Sequence, residues 1–168
     1  MEILSAAIPL QVVIDATTIK HDVHLCVLRL DLNHPDISGN KLFKLKYNLL
    51  EAERQCKDTL LTFGGAFSNH IAATAAAGKE YGFKTIGIIR GEEYSELNPT
   101  LKFAIECGMQ IHYVSREQYR NKTTDEFIKS LNNQFDDFYL VPEGGANELG
   151  IKGCTEIIQN IQIDKSSS

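Results

Sequence analysis

No run of five or more basic residues occurs in this 168-residue chain, whose formal net charge is −5. That balance gives nucleic acid no electrostatic footing. No pair of cysteines forms a CxxC. Cys26, Cys56, Cys107 and Cys154 stand far apart, which argues against a zinc site or a disulfide framework and for reduced thiols in a cytoplasmic protein. No apolar run is long enough to span a bilayer, so no membrane partner is expected. The apolar stretch from Ile3 to Ile14 has no basic leader, follows the acidic Glu2 and is interrupted by Pro9 and Gln11. It reads as a short element plus a strand, not as an export signal. His21, His24, His34 and His112 show no metal-ligand spacing. There is no G-x-G-x-x-G and no G-K-[ST] ending, which leaves a nucleotide-binding loop weakly supported.

What is present is the composition of a globular domain, 43% hydrophobic and 23% charged. Leu10 to Ile14 and Val23 to Leu30 read as strands, with a turn at His34-Pro35-Asp36. A helix is expected from about Asn40, with Leu42, Leu45, Leu49 and Ala52 at helical spacing. Strands are expected over 58–63, 84–90, 109–114 and 138–141. Helices are expected over 68–81, from Pro99 behind an Asn98 cap to Gly108, over 123–135 and over 148–161. Arg116 and Arg120 at i,i+4 suggest a solvated helical face, and 164–168 reads as a polar tail that frays. From Asp58 onward the order is β-α-β-α-β-α-β-α. That alternation predicts an α/β fold, a parallel sheet with helices on both faces.

Two stretches carry chemistry. Ser38-Gly39-Asn40-Lys41 puts a lysine in the first turn of a helix. The positive field there lowers its pKa, and a neutral amine can form a Schiff base with an aldehyde. Lys44 lies one turn on, and a second cation would lower the Lys41 pKa further. Thr62-Phe63-Gly64-Gly65-Ala66-Phe67-Ser68-Asn69-His70 reads as a strand end, a small-residue turn and a helix start. The backbone N–H groups of Asn69, His70 and Ile71 would there cradle a carboxylate. The plain alternatives are a solvated lysine, an ordinary Ser68 cap and a His70 that only packs.

Together with Gly87-Ile88-Ile89-Arg90-Gly91-Glu92, Asn98-Pro99-Thr100-Leu101 and Pro142-Glu143-Gly144-Gly145-Ala146-Asn147, these stretches resemble the 1-aminocyclopropane-1-carboxylate deaminase and D-cysteine desulfhydrase family. Those are tryptophan synthase β-like, fold-type II enzymes of pyridoxal 5'-phosphate. The resemblance covers nearly all of this chain but only about the N-terminal half of the family's catalytic unit. It implies that 1–43 opens a large domain, 44–142 forms a small α/β domain and 143–168 re-enters the large one.

The same resemblance implies that Lys41 is the Schiff-base and proton-carrying residue, with Lys44 and Asn69 at the cofactor. Ser68 would be catalytic, and Ser68, Asn69 and His70 would meet the substrate. The implied reaction releases ammonia and a keto acid from a small amino acid, D-cysteine or 1-aminocyclopropane-1-carboxylate. Phe43 departs from the family, where a basic residue is common. The turn that would seat the cofactor phosphate has no counterpart here. The resemblance implies a homodimer as partner, and the missing turn a complementing C-terminal half. The rival expectations are a noncatalytic α/β fragment of a split or broken gene and, last, a flavodoxin-like nucleotide binder.

Overall fold

A computed structural model of the chain describes residue 3, residues 8–93 and residues 95–159. The first two apolar stretches pair with each other. β1 (Leu10–Val13) and β2 (Leu25–Leu28) form an antiparallel hairpin, with Leu10 opposite Leu28 and Val13 opposite Leu25. Between them lies α1 (Ala16–Lys20), a five-residue helix too short to show a hydrophobic period. Its start is local chemistry: Asp15 Oδ1 accepts from the N–H of Thr17 at 2.7 Å and of Thr18 at 2.8 Å, and Asp15 N–H donates to Thr18 Oγ1 at 2.9 Å. The strand expected to run to Leu30 stops at Leu28, and Leu30–Leu32 form a single 3-10 turn.

α2 (Asn40–Arg54) follows, with Leu42, Leu45, Leu49 and Ala52 all buried as their spacing requires. Then come β3 (Thr59–Gly65), α3 (Asn69–Tyr81), β4 (Lys84–Arg90), α4 (Pro99–Glu106), β5 (Gln110–Val114), α5 (Arg116–Arg120), α6 (Asp125–Phe135), β6 (Tyr139–Val141), a 3-10 turn at Glu143–Gly145, and α7 (Glu148–Gln159). The tail at 164–168 and the last expected helical residues, 160 and 161, lie outside the described residues. Among those residues, no helix is long and apolar enough to cross a membrane, and all four thiols are free.

β3 to β6 form one parallel sheet in the order β5-β4-β3-β6, with Thr62 level with Gly87 on one side and Val141 on the other. Successive β3 side chains point to opposite faces. Leu60 joins Leu42, Leu45, Leu49, Ala73, Ala76 and Ala77 from α2 and α3, while Leu61 and Phe63 join Ile86, Ile88, Tyr119, Leu131 and Phe138 on the other face. A third cluster, around Ile71, Ala75, Ile89, Leu101 and Met109, seats α4 beside α3. The sheet is thus covered on both faces, as the alternating pattern demands. The small residues of α3 permit close approach: a Cβ on Gly78 would sit 2.3 Å from Thr85 Cγ2.

Strand order reverses between β3 and β6, because β4 and β5 lie on one side of β3 and β6 on the other. In open parallel sheets the crevice at the carboxyl ends of the strands flanking such a reversal is the usual ligand site. Here those ends are Gly64-Gly65 and Val141-Pro142.

Candidate active site

Lys41 is the second residue of α2. The helix begins behind Gly39, whose φ of 71° and ψ of −150° suit only a residue without a Cβ. The turn is pinned from Gly39 N–H to Leu30 O at 2.8 Å and from Asn33 Nδ2 to Gly39 O at 2.9 Å. Lys41 is partly buried, and its pKa lies below that of an ordinary lysine. Burial is the main cause and the charge of Lys44 the second; Cys154 on α7 pulls the other way. Spacing reports the helix field and Lys44, but the larger effect, burial, belongs to the tertiary structure.

The start of α3 lies across the strand reversal. Ser68 N–H donates to Gly65 O at 3.0 Å, and Ser68 Oγ accepts from His70 N–H at 3.3 Å, which makes it the helix cap. Gly64 is required for the tight turn, since a Cβ there would lie 2.5 Å from Ile71 Cγ1. The N–H groups of Asn69 and Ile71 have no hydrogen-bond partner among the described residues. They are free donors at the positive end of a 13-residue helix. The Asn69 side chain is exposed.

His70 turns inward, with 1% of its surface exposed. Its Nε2 lies 2.8 Å from Thr62 Oγ1, and the Thr62 hydroxyl donates to Val141 O at 2.8 Å. Thr62 has one proton and spends it on that carbonyl, so its oxygen accepts from His70 Nε2–H and the tautomer follows. Burial first, then the charges of Lys41 and Lys44, push His70 down to about 3, so the ring is neutral. Its Nδ1 makes no hydrogen bond.

Lys41, Lys44 and His70 therefore form one electrostatic group, and Gly145 closes it. A side chain on Gly145 would begin 3.1 Å from Lys44 Cβ and 3.8 Å from His70 Cε1, and its φ of +65° also selects glycine. Ser68 opens instead onto a cleft of about 1150 Å³ along the carboxyl ends of the sheet, which Lys41 does not line. The two motifs thus meet through His70, with Ser68 on the cleft side. Thr62 was not singled out from sequence. The signal was faint: a polar residue within an apolar strand. No group of three or more His, Cys, Asp or Glu residues is placed to hold a metal among the described residues.

No family model matches the chain. A Thermotoga maritima protein that carries the name 1-aminocyclopropane-1-carboxylate deaminase is 38% identical over 136 residues, 80% of this chain and 43% of that protein. The mitochondrial bifunctional D-cysteine desulfhydrase/1-aminocyclopropane-1-carboxylate deaminase of Arabidopsis thaliana is 29% identical over 153 residues, 86% of this chain and 38% of that protein. Among solved structures, the crystal structure of an ACC deaminase homologue matches with a TM-score of 0.80 at 26% identity, over 98% of this chain and 50% of that one. The chain spans less than half the length of these two curated relatives.

Proposed function

Since the chain belongs to the 1-aminocyclopropane-1-carboxylate deaminase and D-cysteine desulfhydrase family by sequence and fold, we propose that it supplies the lysine-bearing wall of a pyridoxal-phosphate site that deaminates a small amino acid. The observation that carries this reading is a lysine of depressed pKa whose charge reaches His70, the second residue of a helix whose start has two unfilled N–H donors. Residues of this kind fit an aldehyde cofactor and a carboxylate substrate. When bound, pyridoxal phosphate supplies a carbonyl that joins an amine and a ring that draws electrons from the substrate carbon.

The chain's own residues have distinct tasks in this reading. Lys41 Nζ would hold the cofactor aldehyde and, as a free amine, would take up and return a proton. Lys44 helps keep that nitrogen neutral. The N–H groups of Asn69 and Ile71 bind the substrate carboxylate, and Ser68 Oγ keeps its own proton free to donate to the same group. The exposed Asn69 amide is available to the cofactor ring. His70, neutral and buried, supports the helix start from beneath through Thr62. The free thiols fit a reducing compartment such as the cytoplasm. The substrates proposed are D-cysteine and 1-aminocyclopropane-1-carboxylate.

The test is an absorbance titration of the protein with pyridoxal phosphate, then borohydride reduction and peptide mapping. The expected label is on Lys41, and Lys41→Ala removes the absorbance band. A label spread over surface lysines, or a band that survives Lys41→Ala, overturns the assignment.

A further inference from the structure

α2 begins without a side-chain cap. Gly39 stands in the cap position and has no side chain to offer, so the placement of Lys41 two residues later depends on the turn that leads in. That turn, 33–39, is held by His34. Its Nδ1 accepts from the N–H of Ile37 at 3.0 Å and of Asp36 at 3.2 Å. Its Nε2 lies 2.9 Å from Oε2 of Glu80, which is in the last turn of α3. A ring nitrogen that accepts carries no proton, so the proton sits on Nε2 and is donated to the carboxylate. The side chain is 12% exposed, which sets it apart from a histidine of a solvated loop.

The two bonds at Nδ1 fix the backbone where the turn enters the core. Ile37 is fully buried, in the cluster that holds Leu42 and Leu45 of α2 with Ala76 and Ala77 of α3. Asn33, itself buried, fastens the far end of the turn through Gly39 O. The bond at Nε2 ties the turn to α3, whose first turn carries His70, a residue that feels the charge of Lys41. One ring therefore joins the segment that presents Lys41 to the helix across from it. Burial is the largest influence on Lys41. How deeply the amine is buried depends on where α2 begins, and a shift of that start exposes it to water.

We propose that His34 is a positioning residue for Lys41: it holds the 33–39 turn through Nδ1 and fastens it to Glu80 of α3 through Nε2–H, so that the amine keeps its partly buried place. Its importance to catalysis rests on the reading of Lys41 as the cofactor lysine, whereas the placement itself does not. The rival is a histidine that only stabilises the fold.

Reductive methylation of the protein with isotope-labelled formaldehyde lets the titration of Lys41 be followed by NMR without cofactor, the signal being assigned by its loss in Lys41→Arg. His34→Gln reaches toward Glu80 but offers the turn no acceptor, and the Lys41 midpoint is expected to move up toward the ordinary 10.5. His34→Asn puts a side-chain oxygen where Nδ1 stands, as in an Asx-turn. That variant and Glu80→Ala keep the turn and lose only the tie to α3, so both move the midpoint less than His34→Gln. Lys44, Cys154 and His70, which also act on this pair of sites, are the same in every variant. Leu131→Ala loosens the core on the other face of the sheet; it lowers the urea midpoint and leaves the Lys41 titration in place. An unmoved titration in His34→Gln, an equal shift in His34→Asn, or an equal shift in Leu131→Ala overturns the proposal. If pyridoxal phosphate fails to label Lys41 but His34→Gln still moves its titration, the proposed function falls and the positioning role stands. If the label is on Lys41 and the titration does not respond, the reverse holds.

Discussion

At Lys41 burial and two neighbours, Lys44 and Cys154, set the balance between ammonium and free amine, and only the neutral form attacks an aldehyde. The structure lowers the pKa from its ordinary 10.5, through burial and then Lys44. The yield of pyridoxal adduct at Lys41, followed by absorbance against pH, should therefore reach its midpoint below that of an ordinary lysine. Lys44→Ala removes one like charge but not the burial, so it should move the midpoint part of the way back up. An unmoved midpoint would show that Lys44 does not act on Lys41. His70 gives a second pH signature. Its folded pKa is about 3 against an ordinary 6.5. Above pH 6.5 neither folded nor unfolded state holds the proton, and this group adds no pH dependence. As the pH falls from 6.5 toward 3, the unfolded chain takes up a proton that the fold refuses, and stability drops. His70→Gln, which keeps a side-chain N–H to offer Thr62, should flatten that slope in urea unfolding measured across the window. Equal slopes for the two proteins would place the acid sensitivity elsewhere.

At the scale of elements, the α2–α7 joint positions Lys41, and it tolerates almost no added volume. A Cβ on Gly153 would lie 1.8 Å from the carbonyl oxygen of Phe43. Gly153→Ala should therefore push the helices apart and cost roughly 3 kcal/mol in chemical denaturation, the upper part of the usual range for overpacking. A neutral effect would mean that the helices do not meet this closely. Across the same joint Asn147 Nδ2 donates to Asn48 Oδ1 at 2.8 Å, and Asn147 Oδ1 accepts from Gly150 N–H at 2.8 Å. At the α3 start, Ser68→Ala should cost about 1 kcal/mol as a lost cap. In a complete enzyme it should also lower turnover. If only melting temperature falls while spectra and kinetics are kept, Ser68 is a cap alone. The helices legible in sequence were those with long apolar periods or strong caps, α2, α3, α4, α6 and α7. α1 escaped because five residues hold little more than one turn of pattern.

For the whole molecule the conspicuous feature is the β1–β2 hairpin. Leu10, Val12, Leu25 and Val27 are all exposed, and their register puts Leu10 and Val12 on one face and Leu25 and Val27 on the other. A two-stranded ribbon apolar on both faces needs cover. The 168-residue polypeptide alone should bind a hydrophobic dye and associate as its concentration rises. Val12→Lys with Val27→Lys, one charge on each face, should suppress both in sedimentation and fluorescence measurements. Persistent association would move the sticky surface elsewhere. The same polypeptide should release little ammonia or sulfide from D-cysteine, because the described residues include no Gly/Thr-rich turn to seat a cofactor phosphate. Robust release that is lost in Lys41→Ala would contradict this.

What the sequence by itself determined was local and periodic: the α/β alternation, the Asn98-Pro99 helix start, the buried stripe of α2, the Ser68 cap and the two motifs that carry the family likeness. These depend on interactions within a few residues, which spacing reports directly. The tertiary structure alone decided the strand order with its reversal between β3 and β6, and the burial that lowers Lys41 and holds His70 neutral against Thr62. It also gathered Arg90, Arg116, Arg120 and Lys122 around one cleft. Those contacts join residues far apart in the chain, and both desolvation and the meeting of like charges depend on where the backbone brings them together.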